Sequence, residues 1–195
     1  LLLITHILAS LTVGFLFRFW KYNSNSLVEK SSMYNHVSKN IYLSKLGGII
    51  SNCITSSINT ILLIGGFVVL FSVIISILQN SHLLTLLSIF LEPIFSFLHI
   101  PFVYCSGFIS GILELTNGLN LVCKITSKQL SINIILASFL LGLGGISILL
   151  QVWSTISKSD LSIKPYIYGK LLHAFISAFY TFLFLNIFPF LNFNI

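Results

Sequence analysis

The 195 residues are 56% apolar and only 7% charged, where a soluble domain carries about 25% charged residues, so the chain belongs in a membrane. Its net charge of +6 comes from 10 basic and 4 acidic residues. The basic ones fall in loops between apolar runs, which argues for topology determinants and against a nucleic-acid surface.

Residues 1–17 are uncharged, at the lower limit for a membrane span. They start mid-run with Leu and lack the basic region and cleavage site of a signal peptide, so we expect a spanning segment in a piece of a longer protein. His6 reads as a packing residue there. Arg18, Trp20, Lys21 and Tyr22 follow, the aromatic and basic signature of a membrane–water interface. Residues 18–45 set Arg18, Lys21, Lys30, Lys39 and Lys45 against Glu29 alone, and predict a cytoplasmic loop with an interfacial helix near its end.

Residues 46–79 carry no charge. As one helix they would reach about 50 Å, more than the roughly 30 Å hydrocarbon core. Asn52, Thr55, Ser56 and Asn59 form a polar stripe on the first half, suited equally to a cavity wall or to interhelical hydrogen bonds. Residues 61–78 are apolar throughout, with Gly65 and Gly66 allowing a kink or a close helix approach. Residues 83–98 are too short and too interrupted, by Glu92 and Pro93, for an ordinary span. With Pro101 they predict a re-entrant hairpin over residues 83–113. Glu92 is expected to be buried, either in function or at a hydrogen-bonded helix end.

Residues 105–118 hold the most informative stretch. Glu114 lies with Thr116, Asn117 and Gly118 in apolar sequence, and no Lys or Arg occurs between Leu46 and Val122. An acid in hydrocarbon is costly unless it faces a cavity, a partner or an ion. Acid, amide and hydroxyl beside glycines resemble a midplane site at a broken helix. The competing reading is a protonated Glu gluing helices together. Lys124 and Lys128 bring the chain to a surface. Residues 130–157 then place Gly142, Gly144 and Gly145 just ahead of a polar face of Ser147, Gln151 and Ser154, a second binding-site candidate. After a short loop with Asp160, Tyr166, Tyr168 and Lys170 mark an interface, and residues 171–188 form the last span, with His173 interfacial. Cys53, Cys105 and Cys123 indicate neither a disulfide framework nor a metal site; each reads as a small packed hydrophobe.

The two most basic loops, residues 18–45 and 158–170, should both be cytoplasmic. The span over 46–79 then runs outward and that over 130–157 inward, leaving residues 80–129 to depart and return on the outer side, which a hairpin entering from outside or two short spans would equally satisfy.

The run Ser110-Gly111-Ile112-Leu113-Glu114-Leu115-Thr116-Asn117-Gly118 resembles the Glu-Ile-Thr-Asn-Gly-type motif of the YlbJ-type (SpoVV) sporulation integral membrane proteins. Residues 142–147, Gln151, residues 157–160 and 164–166, and Leu172-His173 are similar to that family's C-terminal section. The likeness spans nearly the whole chain, as the C-terminal half of a longer member. It implies a Gate, or nucleoside-recognition, fold like that of concentrative nucleoside transporters, with inverted repeats and re-entrant hairpins. The implied role is endospore formation, with passage of dipicolinate across the outer forespore membrane.

The expectation is therefore one all-α membrane domain over residues 1–195, with about four spanning helices plus a re-entrant hairpin or broken helices. The expected function is transport of a small anionic or polar metabolite. The alternatives are a scaffold for spore morphogenesis and a nucleoside-type permease. An enzyme has no support, for there is no His-Glu-x-x-His and no pair of acids at metal spacing. The expected site joins Glu114, Thr116, Asn117 and Gly118 to Gly144, Gly145, Ser147 and Gln151, with Glu92 secondary. Glu114 would hold a coupling proton or sodium ion. The cargo would meet the neutral groups and free N–H groups where a helix restarts after Gly118. No cofactor or metal centre is expected; the partners are the small-molecule cargo, the bilayer and a second copy in a homo-oligomer.

Overall fold

The computed structural model describes residues 1–18, 43–125, 130–157 and 161–187. Its elements are α1 (Leu2–Phe17), α2 (Leu43–Asn80), α3 (Leu83–Phe97), α4 (Val103–Leu113), α5 (Leu115–Cys123), α6 (Leu130–Leu143), α7 (Gly145–Ile156) and α8 (Lys164–Ile187). Among the described residues there is no strand, and three helical stretches are long and apolar enough to cross a membrane: Leu46–Asn80, Leu130–Ile156 and Lys164–Ile187. The chain is thus a multi-pass helical membrane protein. The fourth expected span, α1, is an apolar helix of 16 residues. Most of the expected cytoplasmic loop, including its interfacial helix, lies outside the described residues, as do Lys128, Asp160 and the aromatic tail.

Helix α2 is one unbroken helix of 38 residues, about 57 Å long at 1.5 Å per residue. Gly65 and Gly66 do not break it and meet no neighbour, since a Cβ on either would find nothing within 4 Å. Its polar stripe of Asn52, Thr55, Ser56 and Asn59 is exposed. Helix α3 carries Pro93 inside it. The proline does not end the helix; the chain turns at residues 98–102, where His99 takes a left-handed φ of 57° and Pro101 follows.

Helices α4 and α5 run antiparallel and almost touch. A Cβ on Gly118 would lie 2.0 Å from the Gly111 Cα, and one on Gly107 would lie 3.0 Å from the Val122 side chain. The tight helical hairpin is therefore residues 103–123, with Glu114 at its tip, whereas residues 83–113 comprise α3, the turn at 98–102 and only the first arm of that hairpin. The close contact requires glycine at 118, where a Cβ would strike the α4 backbone, whereas a Cβ on Gly111 would meet the Leu140 side chain of α6 at 2.6 Å; the prolines do not make the pairing.

Helix α6 stops at Leu143 and α7 begins at Gly145, because Gly144 and Gly145 take φ values of +81° and +78°, a region open chiefly to glycine. Helix α8 returns along α6. A Cβ on Gly142 would meet the Ala174 Cα at 2.7 Å, so the backbones approach as small residues allow in membranes. Buried hydroxyls stitch α1, α6 and α8 together: Ser138 and Ser177 lie 2.7 Å apart, and Thr181 Oγ1 lies 2.7 Å from Ser138 Oγ and 3.2 Å from Thr5 Oγ1. Each such bond is worth on the order of 0.6 kcal/mol in a bilayer. A core of Phe95, Tyr104, Cys105, Val122, Leu136 and Leu140 packs the hairpin against α3 and α6. Cys105 is buried, whereas Cys53 and Cys123 are exposed, so only the first is the packed hydrophobe expected of all three.

The ends of the helices sort onto two faces. Tyr104, at the start of α4, donates to Asn133 Oδ1 near the start of α6, and Asn133 Nδ2 donates to Ile125 O beyond the end of α5. The base of the hairpin and the start of α6 therefore share one face. On the other, Phe17 at the end of α1 lies beside Gly169 near the start of α8. The stretches leading into the two basic loops are neighbours there.

Candidate functional site

The hairpin tip is built by Glu114. It takes an extended conformation, φ −143° and ψ 121°, and serves as N-cap of α5. Thr116 N–H donates to its Oε1 at 2.9 Å and Asn117 N–H to its Oε2 at 2.8 Å. The carboxylate is buried, with 3% of the residue exposed. These are two of the four N–H groups that a helix start leaves unpaired, and negative charge is stabilised there by the helix dipole. The local sequence dictates this cap: the extended Glu114 interrupts the i to i−4 ladder, and its side chain reaches forward to N–H groups that Ser or Asp caps ordinarily satisfy.

This corrects the expected position of the helix restart. The helix resumes at Leu115, not after Gly118, so the N–H groups at its start are those of residues 115–118, two of which are taken by Glu114 itself. Gly118 is mid-helix and serves the close contact with Gly111.

The second stretch arrives beside the first. A Cβ on Gly145 would lie 3.0 Å from Gly111 O, 3.3 Å from Ile112 O and 3.4 Å from Leu115 N. The break between α6 and α7 thus abuts the backbone of the hairpin tip. Gly144 and Gly145 are buried at this junction. Ser147 is buried and receives a hydrogen bond from Gln151 Nε2 at 3.2 Å, within α7. The side chains of Thr116 and Asn117 go elsewhere: Thr116 is exposed, and Asn117 Nδ2 donates to Ser72 Oγ of α2 at 2.8 Å. Asn117 lines a cavity of about 260 Å³ with Ser72, Ser76, Gln79 and Asn120. The two predicted stretches therefore meet through backbone, while their polar side chains do not converge.

Glu92 is exposed, not the second buried acid that was expected. The buried line of α3 is Leu84, Ser88 and Phe95, with Leu91 partly buried against the core. Glu92 is a step of about 100° beyond Leu91, facing a cavity of about 370 Å³ with Ser96 and His99.

A cation that the sequence had marked only as interfacial faces the break. Lys170 Nζ donates to Gly142 O at 3.2 Å and would lie 3.4 Å from a Cβ on Gly144. It thus binds a carbonyl in the last turn of α6, where the helix dipole favours positive charge. The signal was the spacing of Tyr166, Lys170 and His173, which places all three on one face of α8. Helix α7, in turn, begins at Gly144 with no side-chain cap.

Among the described residues no group of three or more His, Cys, Asp or Glu side chains is placed to hold a metal. The oxygen-rich spot is instead at the end of α4, where the Gly111 and Ile112 carbonyls face Gly145 and the Ser110 hydroxyl is buried without a hydrogen-bond partner among the described residues.

The family described as nucleoside recognition (Gate) matches residues 61–160, the stretch that contains most of α2, the hairpin and the broken helix. Over 138 residues, 71% of the chain, the sequence is 34% identical to the sporulation integral membrane protein YlbJ of Bacillus subtilis (strain 168). The match spans 34% of that relative's length. No solved structure matches.

Proposed function

The chain belongs to the Gate, or nucleoside-recognition, family, and on that premise we propose that it is part of a transporter-like protein of endospore formation that passes a small anionic metabolite across a membrane. The observation that carries this reading is the meeting of the α4–α5 tip with the α6–α7 break. A re-entrant hairpin against a discontinuous helix brings helix ends, with their unpaired donors and acceptors, into the apolar interior, where transporters place cargo and coupling ions. Non-helical backbone at that depth is tolerated only inside protein or along a water-filled cavity.

The sporulation role comes from the name of the relative, and dipicolinate, crossing the outer forespore membrane, is the cargo that the resemblance implies. The uncapped start of α7, behind Gly144, offers the free N–H groups that α5 does not. A coupling proton or sodium ion would be drawn to the opposite polarity, the carbonyl end of α4 with Ser110 and the carboxylate of Glu114. A transporter of this kind needs no catalytic residue.

A second reading is favoured by one observation: both oxygens of Glu114 are engaged by α5's own N–H groups. On that account the acid holds the hairpin together within a membrane scaffold. Uptake of labelled dipicolinate into vesicles bearing the full-length protein separates the two. Transport requires uptake above empty vesicles, and a coupling role for Glu114 requires its loss in a well-expressed Glu114→Gln variant. Uptake equal to wild type in that variant assigns Glu114 to the hairpin alone, and no uptake by the wild-type protein favours the scaffold.

A further inference from the structure

Between α1 and α8 lies a cavity of about 310 Å³, lined by Ser10, Val13, Gly14, Tyr166, Gly169, Lys170 and His173. We propose that it is a binding site for one anionic oxygen group, carboxylate or phosphate, carried on an apolar body. The site stands on its own residues and does not need the transport reading.

The polar side chains come from two helices. Tyr166, Lys170 and His173 share one face of α8, one turn apart, while Ser10 of α1 donates to His6 O at 2.9 Å and lies 3.3 Å from His173 Nε2. His173 Nε2 also lies 3.2 Å from His6 O, and the His6 ring packs on His173 at 4.3 Å between centroids. The Nδ1 of His6 is buried with no hydrogen-bond partner among the described residues. No acid lines the cavity. Lys170 commits one N–H to Gly142 O and makes no ion pair among the described residues, so its ammonium retains donors. The Tyr166 hydroxyl likewise has no partner among the described residues.

The walls are suited to more than an ion. Gly14 leaves open space, for a Cβ there would meet nothing within 4 Å, and at Gly169 the nearest atom, on Phe17, would be 3.8 Å away. These two glycines and Val13 line the cavity with apolar surface beside the cation. An uncompensated ammonium inside a membrane protein is expensive, and such groups mark ligand or ion sites. Capping α6 explains one of its hydrogen bonds; it does not explain a Tyr hydroxyl and an ammonium with spare donors beside a cavity with no acid. The cavity sits at the face shared by the end of α1 and the start of α8. Both a soluble organic acid and an anionic lipid headgroup present the required chemistry there.

The test uses the full-length protein in nanodiscs, with two ligand arms. In phosphatidylcholine discs, benzoate binding is measured by calorimetry. In discs containing phosphatidylglycerol and no benzoate, retained lipid is counted by native mass spectrometry. Binding in either arm should weaken about tenfold or more in Lys170→Gln, the loss of a charged hydrogen-bond donor, and be largely restored in Lys170→Arg. Binding confined to the first arm identifies a soluble acid, and binding confined to the second a lipid headgroup. Tyr166→Phe, which removes a hydroxyl without a partner among the described residues, decides the matter if Lys170→Gln does not fold, by weakening binding severalfold. Absence of binding in both arms, or binding indifferent to every folded variant, overturns the site. Dipicolinate uptake that persists despite that outcome leaves the transport reading standing, and binding without uptake leaves this one.

Discussion

At the scale of single residues, the hairpin depends on a carboxylate and a glycine, which act through different physics. Glu114 satisfies two N–H groups that would otherwise be buried unpaired at the start of α5. Glu114→Ala should lower stability in detergent by about 1 to 2 kcal/mol, the usual cost of removing an N-cap side chain, read from the shift in thermal unfolding. Glu114→Gln, which keeps a carbonyl oxygen, should lose less. Gly118 acts by absence: a Cβ there would fall 2.0 Å from the Gly111 Cα, and backbone cannot yield as a flexible side chain can. Gly118→Ala should therefore cost about 3 kcal/mol or more, at the upper end for overpacking, or prevent folding. The control is Gly65→Ala, which meets nothing within 4 Å and should be neutral or stabilising by a few tenths of a kcal/mol, since glycine is the poorer helix former. Equal losses in the two variants would contradict the tight packing of the hairpin.

At the scale of elements, what the sequence disclosed and what it hid follow from the solvent. The polar residues of an apolar chain stand out, so Glu114 and the glycines before Ser147 announced both stretches that meet. The identity of the hairpin did not stand out, because Pro93 and Pro101 look like breakers, yet α3 passes through Pro93. The exposed side of Glu92 was equally hidden. In water, core and solvent faces differ in composition, whereas in lipid both faces of α3 are Leu, Ile and Phe, so the buried face cannot be read from hydrophobicity. The inward cation Lys170 was masked by its neighbours Tyr166 and Tyr168, which imitate an interface belt. The α6–α7 break was legible because it needs glycine. Gly144→Ala should cost about 1 to 2 kcal/mol from the left-handed backbone alone, because the nearest atom to an added Cβ is a tolerable 3.4 Å away. If the strain is relieved by carrying α6 straight into α7, binding or uptake should fall further than stability. A melting temperature unchanged in Gly144→Ala would argue against the left-handed turn.

At the scale of the whole molecule, the arrangement of helix ends constrains how the chain sits in the bilayer. The stretches leading to both basic loops meet, because Phe17 lies beside Gly169. The base of the hairpin is joined to the start of α6 through Tyr104, Asn133 and Ile125. Helix α6 then runs toward Lys170, which binds Gly142 O near the start of α8, so the hairpin base lies on the face opposite the end of α1 and the start of α8. Both ends of the hairpin lie on the face away from the end of α1. The positive-inside bias predicts that the basic face is cytoplasmic, with the Lys170 cavity in the cytoplasmic half and the open base of the hairpin outside. In a background lacking Cys53, Cys105 and Cys123, single cysteines at Arg18 and Ser162 should react with an impermeant maleimide only from the cytoplasmic side. A cysteine at Lys124 should react only from the other. Reversal of all three would leave the fold intact and invert its orientation. Labelling of Lys124→Cys and Ser162→Cys from the same side would break the two-face arrangement, and with it the re-entrant character of residues 103–123.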